Sequence, residues 1–200
     1  MVQRDVFIAF SFMGLSVFSF PQQPSTSKPS LQDFNELLKK ASMTFSLPAD
    51  FSEVPVIDNN DVNYHYAVAL KKVKLEIRYV VRTLSQDIKD YEENNRKGLN
   101  PNSFYEALLL TMCLNISDGK QCTPSAFSPD DVKSEFGADA GLTAFVQLNS
   151  IFGRGYKLCL INVIHLQNKA DAFIFFLFDD FRSVQPYCFR DDVFHALKFR

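Results

Sequence analysis

Leu31, Phe34, Leu37, Leu38 and Ala41 recur three and four positions apart behind Ser30 and Asp33, which match a capping box, and predict an amphipathic helix over 31–41. MTFSLPADFSEVPVI follows as short extended pieces broken by Pro48 and Pro55. Val62, Tyr64, Tyr66, Val68 and Leu70 then alternate with polar or small residues, and Leu75, Ile77, Tyr79 and Val81 repeat the alternation after Lys71, Lys72 and Val73. Period two with a short polar connection predicts a β-hairpin. From Gln86 to Asn102 the chain is polar and rich in Asn, after which Ser103 opens a helix over 103–114 carrying Phe104, Ala107, Leu108, Leu110 and Met112. Ser128-Pro129-Asp130-Asp131 offers an N-cap, a proline at the first helical position and acids against the positive end of the macrodipole. That short helix is expected to stop at Gly137.

Three strand-like runs come next: LTAFVQL over 142–148, YKLCLINVIHL over 156–166 and AFIFFLF over 172–178. FGRG and QNKAD join them, connections short enough to make the runs antiparallel neighbours. The second and third runs are apolar at nearly every position, which implies burial on both faces. A sheet covered on both sides needs helices on both, and the chain supplies 31–41, 103–114, 129–136 and a last helix near 189–196. The expected fold is therefore α+β: an α/β/α sandwich whose central sheet is mainly antiparallel.

Residues 6–20, VFIAFSFMGLSVFSF, form an apolar run preceded by Arg4 and too short to span a bilayer comfortably. This pattern is that of a secretory signal over 1–19, cut after Ser19, with an uncleaved anchor or a buried N-terminal helix as the alternatives. PQQPSTSKPS, with three Pro and three Ser, makes 20–30 a flexible linker and leaves 31–200 as a single domain. A periplasmic or secreted location follows, with no stable membrane span once the signal is removed.

Composition narrows the function further. Twenty-one basic residues against 23 acidic ones, a net charge of -2, leave no polybasic surface for a nucleic-acid partner. Of the 21 phenylalanines, Phe173, Phe175, Phe176 and Phe178 in the last apolar run are read as core. A hollow among Phe173, Phe175, Phe176 and Phe178 is the alternative, and it would suit a small apolar ligand.

MTFSLPADFSEVP resembles the F-x-hydrophobic-P-x-x-F opening of the PsbP-like α/β/α sandwich group, which includes photosystem accessory subunits, DcrB-type proteins and Ran-binding import factors. FRDDVFHALKFR is similar to that group's last helix running into a short final strand. DVNYHYAVALKKVKLEIRYVVR and GRGYKLCLINVIHLQNKADAFIFFLFDD resemble its exported bacterial members of unassigned function. The likeness spans most of 43–200 and implies a protein that binds other macromolecules. It transfers no catalytic or ligand residues.

The chemical candidates are few. Export permits disulfides, and Cys113 and Cys122 flank the turn-prone NISDGKQ, so a bridge between them and a pair of free thiols both fit. Cys159 and His165 lie about 20 Å apart along one extended strand, too far for a catalytic dyad. Asp58, Asn59, Asn60 and Asp61 begin like a calcium loop but continue with Val62 and Asn63, and Asp179-Asp180 is a polar strand end. FGRGY reads as a hairpin turn. Glu76 and Arg78 share a strand face and, with His65 of the neighbouring strand, form the one candidate polar binding patch; a plain cross-strand charge ladder is the alternative. No catalytic, metal or cofactor residues are assigned. The expected function is that of an exported, non-enzymatic binding or accessory protein with a protein partner in the cell envelope, the alternative being a carrier of a small apolar ligand or lipid.

Overall fold

In the computed structural model residues 30–200 are described; the expected signal segment and nearly all of the linker lie outside them. Helix α1 (Leu31–Lys40) begins at the capping box: Ser30 accepts from the Asp33 N–H, and the Asp33 carboxylate accepts from the Ser30 N–H at 2.9 Å. It buries Phe34 and Leu38. Strand β1 (Met43–Phe45) pairs with the last strand, β9 (Leu197–Phe199), so the two ends of the domain are tied into one small antiparallel ribbon.

The main sheet has seven strands: β2 (Ser52–Glu53), β3 (Tyr66–Leu70), β4 (Leu75–Thr83), β5 (Ser125–Ala126), β6 (Ala140–Gln147), β7 (Leu158–Leu166) and β8 (Ala170–Phe178). Their order is β2-β3-β4-β8-β7-β6-β5, every neighbouring pair antiparallel. Strand β8 is central and buried at all nine positions, as its unbroken apolar sequence demands. Even-numbered Phe176 and Phe178 fill one face while odd-numbered Phe173 and Phe175 fill the other, all at 0% exposure. Each such burial stabilises the fold by about 2 to 3 kcal/mol.

The first face is covered by α1, α4 (Pro129–Phe136), α6 (Phe181–Cys188) and α7 (Asp191–Phe194), which contribute Phe34, Phe136, Val184 and Val193. The second is covered by α3 (Phe104–Ile116) and the one-turn α5 (Ser150–Gly153), through Leu109, Met112, Ile116 and Phe152. The molecule is thus an α+β, α/β/α sandwich. Gly137 ends α4 in the left-handed region, at φ 63°, as expected of a C-cap.

Four local expectations need correction. The polar stretch after Thr83 contains helix α2 (Ser85–Glu93), which buries no residue and so carries no apolar stripe to announce it. Residues 150–153 form α5 within the β6–β7 connection where a plain hairpin turn is expected; Asn149 caps it by accepting from the Phe152 N–H at 2.8 Å. Helix α6 precedes the expected last helix, capped by Asp180, and Pro186 in its final turns disguises its period. Strand β3 begins at Tyr66, since Val62 and Tyr64 reach the core from irregular backbone. Among the described residues no helix is long and apolar enough to cross a membrane.

Candidate functional site

Arg78 stands on β4 opposite Ala67 of β3 and Phe175 of β8, facing the second helical layer. The small Ala67 leaves room for the guanidinium, which lies over the rings of Tyr64 and Phe152, at 4.8 and 4.6 Å, in the corner these two perpendicular rings form. Nε donates to Glu76 at 2.6 Å and Nη1 to the Phe152 carbonyl at 2.6 Å, so the charge is both paired and hydrogen-bonded. Arg78 is only 2% exposed. Tyr156 lies within the influence of this pair, its hydroxyl pKa pushed up to about 12 by burial and by the negative charge of Glu76. Lys74 lies over the Tyr156 ring and joins Asp179 at 2.5 Å.

The structure therefore brings Arg78 and Glu76 together but inside the protein, and it sets His65 to a different task. His65 Nδ1 accepts the Val81 N–H at 3.1 Å, one rung beyond the Tyr66–Tyr79 pair, so the imidazole extends the β3–β4 ladder with a side chain. An exposed three-residue patch is not formed. Only a neutral ring leaves Nδ1 free to accept, and burial lowers the His65 pKa from its ordinary 6.5. Below pH 6.5 the unfolded chain gains a proton at His65 that the folded chain resists. Stability from this group is complete above pH 6.5 and lost as pH falls through the lowered folded value. Thermal unfolding between pH 7.5 and 5 is expected to show a drop in midpoint that His65→Gln reduces; equal drops in both proteins would contradict this role.

Cys113 of α3 and Cys122 form a disulfide with their Cα atoms 6.0 Å apart, closing the loop that follows α3. In the chain-entropy account a loop this short is stabilised by about 2 to 3 kcal/mol. Cys159 and Cys188 are free and buried. Burial pushes the Cys159 thiol far above its ordinary pKa and that of Cys188 up to about 12, so neither is poised as a nucleophile. The Asp58–Asp61 segment forms an Asx turn in which Asn59 Oδ1 accepts from the Asp61 and Val62 N–H groups. Among the described residues no group of three or more His, Cys, Asp and Glu side chains is arranged to hold a metal.

A second buried polar chain lies at the opposite end of the same face. Asp171, at 0% exposure, accepts from Arg82 at 3.0 Å and meets His165 Nδ1 at 2.6 Å, and Arg82 continues to Asp87 of α2. Tyr105 stacks on His165 at 4.7 Å, and Phe104 covers Arg82. His165 and Asp171 are cross-strand partners about the hairpin turn of residues 167–169, a polar pairing legible from the turn alone. The link to Arg82 depends on the β4–β8 pairing, which joins residues 89 positions apart and leaves no local signal.

The outer side of α3 is largely uncharged. Ala107, Leu110, Thr111 and Leu114 are all exposed, Leu110 at 44% and Leu114 at 38%, and Glu106 is the helix's single charged residue. Thr111 donates its hydroxyl back to the Ala107 carbonyl at 2.8 Å, so even the polar member of the row is satisfied within the helix. No family model and no curated protein matches the chain. A helix apolar on its inner and outer sides alike is characteristic of one buried from two directions. The exposed Phe145 and Phe189 are less isolated: Phe145 packs on Phe178 and Phe181, and Phe189 on Phe181 and Phe194.

Proposed function

We propose that the protein is an exported, non-enzymatic binding protein, periplasmic or secreted, that acts through protein–protein contact at the outer face of α3. The single observation behind this reading is the uncharged row Ala107, Leu110, Thr111 and Leu114, exposed on a 13-residue helix. A helix whose outer face served only solvent would carry charges there. The buried, internally satisfied states of Arg78, Cys159 and Asp171 favour support of the fold over chemistry on a substrate. A kinship with PsbP-like sandwiches is part of the proposal, supported by the two helical layers and by α7 running within three residues into β9.

The deciding experiment places a photo-crosslinking amino acid at Thr111 in the native envelope, with Lys40 on α1 as the control position. A reproducible protein adduct from position 111 and none from 40 is expected, and Leu110→Glu is expected to abolish it while leaving the thermal midpoint near that of the parent. The absence of any adduct at 111 would overturn the reading.

A further inference from the structure

Between Thr83 and Pro101 the chain leaves the core and returns to it. Every residue from Glu92 to Asn100 is exposed, and Pro101 directly after them is buried. Even the apolar Leu99 is 75% exposed. Helix α2, ahead of this run, buries no residue, and its partly covered Ile88 and Tyr91 pack into neither core layer. Among the described residues, every hydrogen bond made by residues 88–100 ends within 84–103. The polar tie from α2 to the sheet is the Asp87–Arg82 ion pair.

Little holds this excursion in its folded form. Helix α2 has nine residues, fewer than the roughly 12 to 15 at which an isolated helix becomes even marginally stable. Leu84 at its N-cap supplies no side-chain acceptor, and Glu92 and Glu93 in its last turn oppose the negative end of the macrodipole with no basic residue beside them. The turn that follows holds Asn95 and Arg96 side by side in the left-handed region, at φ 54° and 59°. A side chain makes that region unfavourable, so extending the chain relieves strain. Residues 85–100 are therefore a unit that opens without disturbing the sheet, and opening offers a protease the long accessible stretch it needs.

Arg96 and Lys97 lie at the centre of that stretch. Basic residues in other connections stand where opening would break the core or its ties. Arg154 follows the wholly buried Phe152 in α5, and the Lys169 carbonyl accepts the Leu84 N–H at 2.9 Å. Lys120 sits inside the loop closed by Cys113 and Cys122, its carbonyl accepting from the Ser117 hydroxyl at 2.7 Å. Lys74 pairs with Asp179 next to the buried Leu75.

We propose that Arg96-Lys97 is a proteolytic processing site, at which a trypsin-like protease divides the native chain into two parts that remain one folded domain. The bond cut is the peptide bond on the carboxyl side of Arg96 or Lys97. Its C–N bond breaks by hydrolysis: the acyl carbon takes the hydroxyl of one water molecule, the released nitrogen takes the proton, and no oxidant or reductant takes part. The parts stay together because β4 of the first pairs with β8 of the second from Glu76–Leu177 to Thr83–Ala170, and β1 of the first pairs with β9 of the second. This site is independent of the α3 face, so either reading can fail alone.

The test treats the full chain, as recovered from an export-competent host, with a low ratio of trypsin under native conditions. Intact mass is expected to place the first cut after Arg96 or Lys97, and the two fragments are expected to co-elute in size exclusion with a thermal midpoint near that of the uncut parent. Arg96→Gln with Lys97→Gln is expected to slow this cut about tenfold or more at an unchanged midpoint, since both side chains are exposed. Asp87→Asn, which removes the tie to Arg82, is expected to speed it, as cleavage through local opening requires. A first cut elsewhere within residues 30–200, or a double variant cut as fast as the parent, would overturn the site. Fragments that separate in size exclusion would overturn the two-part domain.

Discussion

Asp171→Asn is expected to lower the free energy of unfolding by about 3 kcal/mol or more, the usual cost of removing one member of a buried ion-paired set. The carboxylate is wholly buried on the central strand and is shared by Arg82 and His165, so its loss leaves the partly buried Arg82 with the more exposed Asp87 as its remaining counter-charge and takes the partner from His165. Denaturant unfolding with fitted midpoint and slope measures the effect, and an unchanged slope would identify it as a loss of native stability. The exposed helix α2, which depends on Asp87 for its link to Arg82, is expected to gain amide exchange before the core does. A variant within 1 kcal/mol of the parent would show that the chain of charges from His165 to Asp87 is of little energetic consequence.

Arg78→Ala is the second large loss, expected at about 3 to 4 kcal/mol, because it empties the cage against two aromatic rings and strips the charge partner from Glu76. Arg78→Met with Glu76→Gln is expected to cost clearly less than the single replacement, since it fills the cage and removes both charges together. Crosslinking at Thr111 supplies the other readout. Lost stability with unchanged capture assigns Arg78 to the fold, whereas lost capture at full stability would return it to a binding role. The burial of the guanidinium, with its carbonyl and carboxylate partners already in place, leads us to expect the first result.

Much of the architecture is legible in the chain because it follows from local periodicity. The capping box at Ser30, the stop at Gly137 and the apolar run from Ala172 to Phe178 within β8 each act through their own backbone or their own side chains. Helices α2 and α6 escaped that logic for opposite reasons. The first has no face to bury, and the second carries a proline where its period should continue. The alternation of Glu76 and Arg78 correctly places them on one face, but alternation is blind to which face is wet. Tyr64 and Phe152, from irregular backbone and a one-turn helix, decide that this face is closed.

What the sequence alone determined is the class of the molecule: helices from spacing, strands from alternation, and a doubly covered central sheet from the unbroken apolar runs. It did so because hydrophobic burial acts on patterns within a few residues of each other. What only the tertiary structure decided is the status of the polar and exposed groups. Arg78, Asp171 and His65 are structural by virtue of partners 74, 89 and 16 positions away, and the row on α3 is a surface because nothing among the described residues covers it. Whether a charge is satisfied, or an apolar side chain left bare, is set by contacts between distant segments.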